Sequence, residues 1–167
     1  DYIVDGPKAM TMFITAALPN SLEGEVFCIR TSDGGVTWNK VGIASTPTGP
    51  RGFSIMPSSL RLGGKTIVSA IRRKEGNSGN PASLVRLKDG RLCAVYGHRA
   101  QPFSIRARLS SDEGKTWGDE LILRQDGGDR DLGYTRTVLR PDGKLVTAYY
   151  FNDSADTERY IAATIWD

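Results

Sequence analysis

The sequence has few of the residues that bind metals or form disulfide frameworks. Its 167 residues include two cysteines and a single histidine, His98. Cys28 and Cys93 each lie inside an apolar, strand-like run, so we expect two buried thiols rather than a disulfide. Neither cysteine has the spacing of a metal site, and one histidine is too few for an ordinary zinc site. We therefore predict neither a bound metal nor a cofactor.

Long apolar runs and strong charge are also missing. No stretch approaches the length needed to cross a bilayer, so no membrane span is expected. The net charge is +3, and the 22 basic residues are scattered, whereas nucleic-acid binding needs a concentrated basic surface. We therefore expect no nucleic-acid partner. Residues 1–6 indicate a strand and a turn rather than a signal peptide, so either a leader was removed or the chain starts inside a larger protein.

Two-residue alternation is abundant, and helical periodicity does not recur. Residues 103–110 alternate apolar and polar side chains, which is typical of a strand with one buried face. Residues 159–166 are largely apolar at both sets of alternate positions, which predicts a strand covered on both faces. Glycine turns separate these runs. The sequence therefore predicts an all-β fold.

Two sequence units repeat along the chain. The first is a hairpin, in which apolar strands flank a turn at Gly63-Gly64, Asp89-Gly90 or Asp142-Gly143. Such turns need positive φ, which glycine supplies. The second unit spans residues 31–38 and 110–117 and reads [Ser/Thr]-x-Asp-x-Gly-x-Thr-Trp. We expect its aspartate to accept backbone N–H groups, its glycine to take positive φ and its tryptophan to cover the loop. A calcium loop is the alternative, but each unit offers too few oxygens.

The spacing of these units shows an interruption. Gly64 follows Trp38 by 26 residues, and Gly143 follows Trp117 by the same 26. Gly143 follows Gly90 by 53 residues, whereas Gly90 follows Gly64 by only 26. Half of a repeat, about 27 residues, is therefore missing between the hairpins at Gly64 and Gly90. We place the break at residues 73–79 and attribute it to deletion, disorder or the joining of separate pieces.

The unit that ends in tryptophan resembles the Asp-box of the sialidase (BNR-repeat) superfamily, and the resemblance covers essentially the whole chain. It implies a six-bladed β-propeller of four-stranded antiparallel blades, with about half of the ring present. Residues 1–50 would form the last three strands of one blade, 51–76 the start of the next with a gap near 73–80, 79–127 a full blade and 131–167 most of another. Half a ring leaves sheet edges bare, so the rest of the propeller or other copies should close it. The resemblance also favours a secreted or periplasmic location.

The resemblance further implies where a glycan would bind. In such propellers the Asp-boxes lie on one face and the substrate on the other, where first strands begin and second strands end. Polar residues at those positions are Arg51, Arg72, Asn80, His98, Arg99, Tyr134 and Arg136. Of these, Arg51, Arg72, Asn80, Arg99 and Arg136 are predicted to bind substrate.

Sialidases use a tyrosine nucleophile activated by a glutamate, and three arginines that clamp the substrate carboxylate. Residues 134–143 resemble the segment with that tyrosine, so Tyr134 is either the nucleophile or an aromatic residue that stacks on sugar. Residues 80–90 resemble the strand with the glutamate, but Asn80 stands in its place, and an amide cannot act as a base. Arg99 lies two residues beyond the position of a clamp arginine.

His98 is the residue whose ordinary pKa suits general-base chemistry near neutrality. Some propeller polysaccharide lyases and glycosidases combine His, Tyr and Arg, so His98, Arg99 and Tyr134 could form such a set. Glu75 and Asp153 are alternative acids, and residues 126–131 form an acidic loop that is either a cation site or a solvated turn. The sequence therefore predicts an exo-acting glycoside hydrolase on anionic glycans. The alternatives are a non-catalytic glycan-binding propeller and a polysaccharide lyase.

Overall fold

The computed structural model describes residues 1–19, 24–46, 52–74, 80–154 and 158–167. The chain divides into two compact units, Asp1–Gly79 and Asn80–Asp167. The described residues form thirteen strands and no helix, and every paired strand is antiparallel to its neighbour. The predicted all-β class is confirmed, with sheets of the kind that form propeller blades.

The first unit contains a four-stranded sheet and a hairpin. Strands β1 (Tyr2–Gly6), β2 (Ala9–Ala16), β3 (Glu25–Thr31) and β4 (Asn39–Ser45) form the sheet in chain order. Strands β5 (Phe53–Gly63) and β6 (Thr66–Lys74) form the hairpin. The prediction of three strands in residues 1–50 was wrong. Strands β1 and β2 are joined through Pro7-Lys8, which lacks the glycine of the other hairpin turns.

The core of the first unit is small. It consists of Phe13, Val26 and Cys28 from the sheet, with Ile67 and Ile71 of the hairpin packed against them. The same two elements are joined by an ion pair between Asp5 and Arg61. A hydrogen bond from Thr11, together with Arg61, holds the pKa of the Asp5 carboxyl below its ordinary value.

The second unit contains two sheets. Strands β7 (Ala82–Arg86), β8 (Leu92–His98), β9 (Ser104–Ser110) and β10 (Leu121–Arg124) form the first. Strands β11 (Gly133–Leu139), β12 (Leu145–Phe151) and β13 (Tyr160–Trp166) form the second. Their shared core contains Cys93, Val95, Ile105, Ala107, Leu132, Leu145, Tyr149 and Phe151.

The last strand differs from its prediction. β13 was expected to be covered on both faces, but Ile161 is 79% exposed and Ile165 is 58% exposed. β13 lies at the edge of its sheet, and Ala162 and Trp166, on its other face, pack against the core. Period-2 alternation places residues on two faces but does not say whether the second face is covered.

The predicted glycine turns are confirmed. Gly64, Gly90 and Gly143 have φ values of 52°, 91° and 92°, and each closes a hairpin. The predicted break at 73–79 falls largely on residues 75–79, which lie outside the described residues. Before it, β5 and β6 pair only with each other among the described strands. The missing half repeat and the division into blades therefore stay predictions.

Both cysteines are buried free thiols, as predicted. Burial raises the pKa of the Cys93 thiol to about 12. Across the described ranges, no group of three or more His, Cys, Asp or Glu residues converges in a way that could hold a metal ion. The described part also has no helix that is long and apolar enough to cross a membrane.

Candidate functional site

The first tryptophan loop, residues 31–38, is closed by hydrogen bonds within itself. The Asp33 carboxylate accepts the backbone N–H of Thr37 at 3.0 Å, and its other oxygen accepts the Thr37 hydroxyl at 2.5 Å. The Thr31 hydroxyl accepts the N–H of Gly35 at 2.9 Å, and Gly35 has a φ of 93°. Trp38 lies over the loop and donates its indole N–H to the Gly35 carbonyl at 3.1 Å. The hydrogen bonds to Asp33 lower the pKa of that carboxyl far below its ordinary value.

The second tryptophan loop, residues 110–117, repeats this arrangement. Asp112 accepts the N–H of Thr116 at 2.8 Å, and the Ser110 hydroxyl accepts the N–H of Gly114 at 2.8 Å. Gly114 has a φ of 87°. The Thr116 hydroxyl is the largest influence that lowers the pKa of Asp112 to about 2. The predicted roles of the aspartate and the glycine are confirmed in both loops.

Within the second unit, the tryptophan loop and Tyr134 lie at opposite ends of the sheets. The loop begins at Ser110, which pairs with Leu92 at the start of β8. Tyr134 follows Gly133, which approaches Gly97 near the far end of β8; a Cβ added to Gly97 would lie 3.0 Å from the Gly133 Cα. We call these the Trp117 end and the Tyr134 end.

Tyr134 is held by an unusual backbone at the start of β11. Its φ is 49°, and that of the preceding Gly133 is 117°, so two successive residues have positive φ at a register shift against β12. A left-handed conformation costs a residue with a side chain about 1–2 kcal/mol. The Tyr134 ring is 42% exposed. Its centroid lies 5.6 Å from that of Tyr150 and 5.8 Å from the Arg99 guanidinium carbon.

Arg99 is fixed on three sides. Its Nε donates to the Leu132 carbonyl at 3.1 Å, and its Nη2 donates to the Tyr150 hydroxyl at 2.6 Å. The Tyr150 hydroxyl in turn donates to Asp131 at 2.6 Å, and Asp131 lies 4.0 Å from Arg99. Burial, followed by the bond to Asp131, raises the pKa of Tyr150 above its ordinary value. The same bond, with Arg159 and Arg99, lowers the pKa of Asp131.

Two asparagines lie at the same end, Asn152 fully buried and Asn80 partly buried. Asn80 donates its Nδ2 to the Gly97 carbonyl, and Asn152 donates its Nδ2 to the Asp131 carbonyl at 2.8 Å. The Oδ1 atoms of both are buried and have no hydrogen-bond partner among the described residues. Buried polar atoms are usually paired, so these two acceptors are exceptions among the described residues.

His98 does not join Arg99 and Tyr134. It pairs with Ser104 on the face of β8 that Tyr96 shares, opposite the face of Gly97 that approaches β11. That face carries an ion pair between Arg106 and Glu120. Burial, and next the charge of Arg106, lower the pKa of His98. The structure therefore does not bring His98 to the face of β8 that approaches Tyr134, and a joint role for His98, Arg99 and Tyr134 stays a prediction.

The other predicted residues are dispersed. Arg136 is exposed on β11, two residues beyond Tyr134. Arg72 belongs to the first unit, where its guanidinium lies 5.2 Å from the Phe53 ring centroid. Arg51 and Glu75 lie outside the described residues. Only Arg99 and Arg136 of the predicted arginines therefore belong to the unit that contains Tyr134.

The acidic loop and Asp153 are engaged in ion pairs. Arg124 binds Asp126 at 2.7 Å and Asp153 at 3.1 Å. Arg159 lies 3.6 Å from Asp129 and 3.2 Å from Asp131. These carboxylates are thus each paired with an arginine in the structure.

The comparisons with known proteins establish a fold. No protein-family model matches the chain, and no curated protein matches it. A crystal structure of a protein of unknown function from Dyadobacter fermentans matches 98% of the chain, with a TM-score of 0.82 and 23% identity. An endo-arabinase from Bacteroides thetaiotaomicron matches 98% of the chain, with a TM-score of 0.50 and 15% identity.

The likeness is one of fold. The chain spans about half, 51%, of the Dyadobacter protein and 73% of the endo-arabinase. At these identities the comparisons carry no residue roles across. They support the propeller-like part of the prediction and leave the sialidase resemblance undecided.

Sequence reasoning did not predict the hydrogen bonds that join Arg99, Tyr150 and Asp131. It also did not predict a nearby groove. Tyr150 was not among the predicted residues, although it pairs across from Gly133 and so lies beside Tyr134. The groove measures about 450 Å³ and also lies at the Tyr134 end, between the loops that follow β8 and β10. Its lining residues are Gln101, Pro102, Phe103, Gln125, Gly127 and Gly128. No sequence motif marks these loops.

Proposed function

We propose that this chain is part of a sialidase-like, carbohydrate-active propeller, and that the whole protein hydrolyses terminal glycosidic bonds of anionic glycans at the Tyr134 end. The observation that carries the proposal is Tyr134 itself. It is exposed, held in a strained backbone, and flanked by the Arg99 guanidinium and the Tyr150 ring. Strain of this kind is retained where a side chain must be aimed, as at binding and catalytic sites.

The chemistry of the Tyr134 end suits an acidic sugar. An exposed aromatic ring offers a face on which the C–H groups of a sugar can pack, and a guanidinium pairs with a carboxylate through charge-assisted hydrogen bonds. The Arg99 guanidinium carbon lies 5.8 Å from the centroid of that ring, and Arg136 is exposed two residues further along β11. A structural neighbour bears the name endo-arabinase, which supports a glycan as the class of ligand.

A tyrosine nucleophile needs a base that accepts the proton of its hydroxyl. Asn80 stands where the resembling family has glutamate, and its amide group is hydrogen-bonded to Gly97. Asp131 is a carboxylate of the network, but it hydrogen-bonds to Tyr150 rather than to Tyr134. Hydrolysis would therefore use Asp131 through Tyr150, or a group outside the described residues.

The hydrogen bonds of Asn80 to Gly97 and of Tyr150 to Asp131 favour a second candidate, a non-catalytic glycan-binding propeller. In that case Tyr134 and Arg99 bind the sugar without turnover. The lyase alternative is less well supported, because His98 lies on the opposite face of β8 from Tyr134.

The test uses the full-length protein with fluorogenic sialosides and uronides, and calorimetry with the free sugar acids. If the protein is a hydrolase, Tyr134→Phe should abolish turnover and keep binding, because only the hydroxyl is removed. His98→Ala should keep most turnover. A binding protein would show no turnover, and Arg99→Ala would reduce its affinity. The proposal is refuted if the protein neither turns over nor binds any of the acidic sugars. Tyr2→Phe, an exposed tyrosine of the first unit, is the control and should change nothing.

A further inference from the structure

The groove at the Tyr134 end has a composition unlike that of the surface around Arg99. Its six lining residues come from two loops, residues 101–103 after β8 and residues 125–128 after β10. Arg124, the last residue of β10, pairs with Ile105 near the start of β9, so both loops lie at the Tyr134 end of the unit. A volume of about 450 Å³ lies within the usual range for small-ligand sites.

The groove is polar but uncharged. The amides of Gln101 and Gln125 each offer donors and an acceptor, which is what a sugar hydroxyl requires. Pro102 and Phe103 add apolar surface that suits the C–H faces of a sugar ring. None of the described residues that line it carries a charge. The adjacent Arg124 is bound to Asp126 and Asp153, so it does not supply a free cation to the groove.

The backbone that forms one wall is fixed before any ligand arrives. Gly127 donates its N–H to the Phe103 carbonyl at 3.3 Å, and Gly128 donates to the Asn152 carbonyl at 3.2 Å. A Cβ added to Gly127 would lie 2.8 Å from Leu132 Cδ2 and 2.9 Å from Phe103 Cβ, so the loop packs against the core as closely as glycine allows. Little ordering of this wall is therefore required on binding.

We infer that this groove is a second sugar subsite, which binds a neutral sugar residue of the glycan whose acidic residue binds beside Tyr134. The inference rests on the proposed function for the acidic residue only. The neutral subsite has its own ligand chemistry, two amides and an apolar surface, and can be measured separately.

The experiment compares short and long ligands on the full-length protein by calorimetry. The acidic pairs are N-acetylneuraminic acid with 3′-sialyllactose, and glucuronic acid with an aldotetraouronic acid that carries neutral xylose residues. Lactose and xylotriose are the purely neutral probes. The variant is Gln101→Ala/Gln125→Ala, in which both changed side chains are exposed. Asn39→Ala, an exposed amide of the first unit, is the matched control.

We expect the double variant to lose about tenfold in affinity for at least one long acidic ligand and to bind the corresponding monosaccharide unchanged. The control should bind both as the unaltered protein does. If the double variant binds every long ligand unchanged, the subsite is refuted while the proposed function stands.

Failure of the proposed function and failure of the neutral subsite give different results. If no acidic sugar binds, the proposal for Tyr134 fails. The subsite is then supported if lactose or xylotriose binds and the double variant abolishes that binding, and it is refuted if neither neutral probe binds. Equal loss of monosaccharide and long-ligand affinity in the double variant also refutes it.

Discussion

The two ends of the second unit treat their polar groups differently. At the Trp117 end, Ser110 and Asp112 accept backbone N–H groups from within the same eight residues. At the Tyr134 end, Asn80 and Asn152 bury oxygens that have no partner in the described part of the chain. Tyr134 adds a strained backbone there. The polar groups of the Trp117 end are paired within the loop. The Tyr134 end has two unpaired acceptors and a strained backbone, which are features of binding sites.

The first unit supports this comparison. Its tryptophan loop contains the same bonds as that of the second, with Thr37 N–H to Asp33 at 3.0 Å and Thr116 N–H to Asp112 at 2.8 Å. Two loops in different units therefore reach one geometry from one short sequence. The tryptophan loops are local structures, and four predictions use that contrast with the Tyr134 end.

The largest effect is expected where two backbones meet at the Tyr134 end. In Gly97→Ala the new Cβ would lie 3.0 Å from the Gly133 Cα and 3.1 Å from the Leu132 carbonyl oxygen. Because backbone must move, we expect the free energy of unfolding to fall by about 3 kcal/mol, measured by urea denaturation. Glycan affinity should fall as well. Gly118→Ala is the control at the Trp117 end, since its Cβ would make only an ordinary contact at 3.6 Å. Equal stability of the two variants would contradict the contrast.

A somewhat smaller effect is expected for Asn152→Ala. The change leaves the Asp131 carbonyl without the fully buried Asn152 donor that now lies 2.8 Å away. We expect a loss of about 2 kcal/mol in the free energy of unfolding, and weaker glycan binding because Asp131 orients Tyr150. An unfolding midpoint equal to that of the unaltered protein would show that this hydrogen bond does not support the Tyr134 end.

The third effect concerns the tryptophan loops. Ser110→Ala and Thr31→Ala each remove a buried hydroxyl that accepts a glycine N–H. Each should lower the free energy of unfolding by about 1 kcal/mol. Affinity for 3′-sialyllactose should not change in Ser110→Ala, although the loop belongs to the same unit as Tyr134. A change in affinity would mean that the two ends are coupled.

The smallest effect is a pH dependence of the Trp117 end. The pKa of Asp112 is about 2 in the folded chain and about 3.8 without its partners, so the folded state favours the carboxylate. Its contribution is complete above pH 3.8 and declines as the pH falls through about 2. Asp112→Asn should therefore show a shallower loss of stability between pH 4 and pH 2. Parallel curves for the two proteins would contradict this account.

The sequence predicted local structure well and shared sites less well. Turns at Gly90 and Gly143, and the bonds to Asp33 and Asp112, are set by residues within a few positions of one another. A strand was predicted within residues 1–6, but Tyr2–Gly6 was left out of the count of three strands in residues 1–50, because its turn contains Pro7 rather than an Asp-Gly pair. Motif matching finds a turn only when its chemistry repeats.

The Tyr134 end depends on contacts between segments far apart in sequence. Arg99 donates a hydrogen bond to Tyr150, 51 residues away in sequence, and no motif in either segment predicts this contact. The positive φ of Tyr134 could not be predicted either, because a bulky residue is not expected there. The placement of His98 was predictable, since it follows from the alternation of Tyr96, Gly97 and His98 along β8.

The meeting of Gly97 and Gly133 has a consequence for how such a surface can diversify. Where main chain rests directly on main chain, no side chain exists whose enlargement or trimming could retune the gap. The distance between Arg99 and Tyr134 is therefore set by the backbone, and new ligand preferences must arise in the surrounding loops. We expect natural variants of this domain to keep both glycines while residues 101–103 and 125–128 drift.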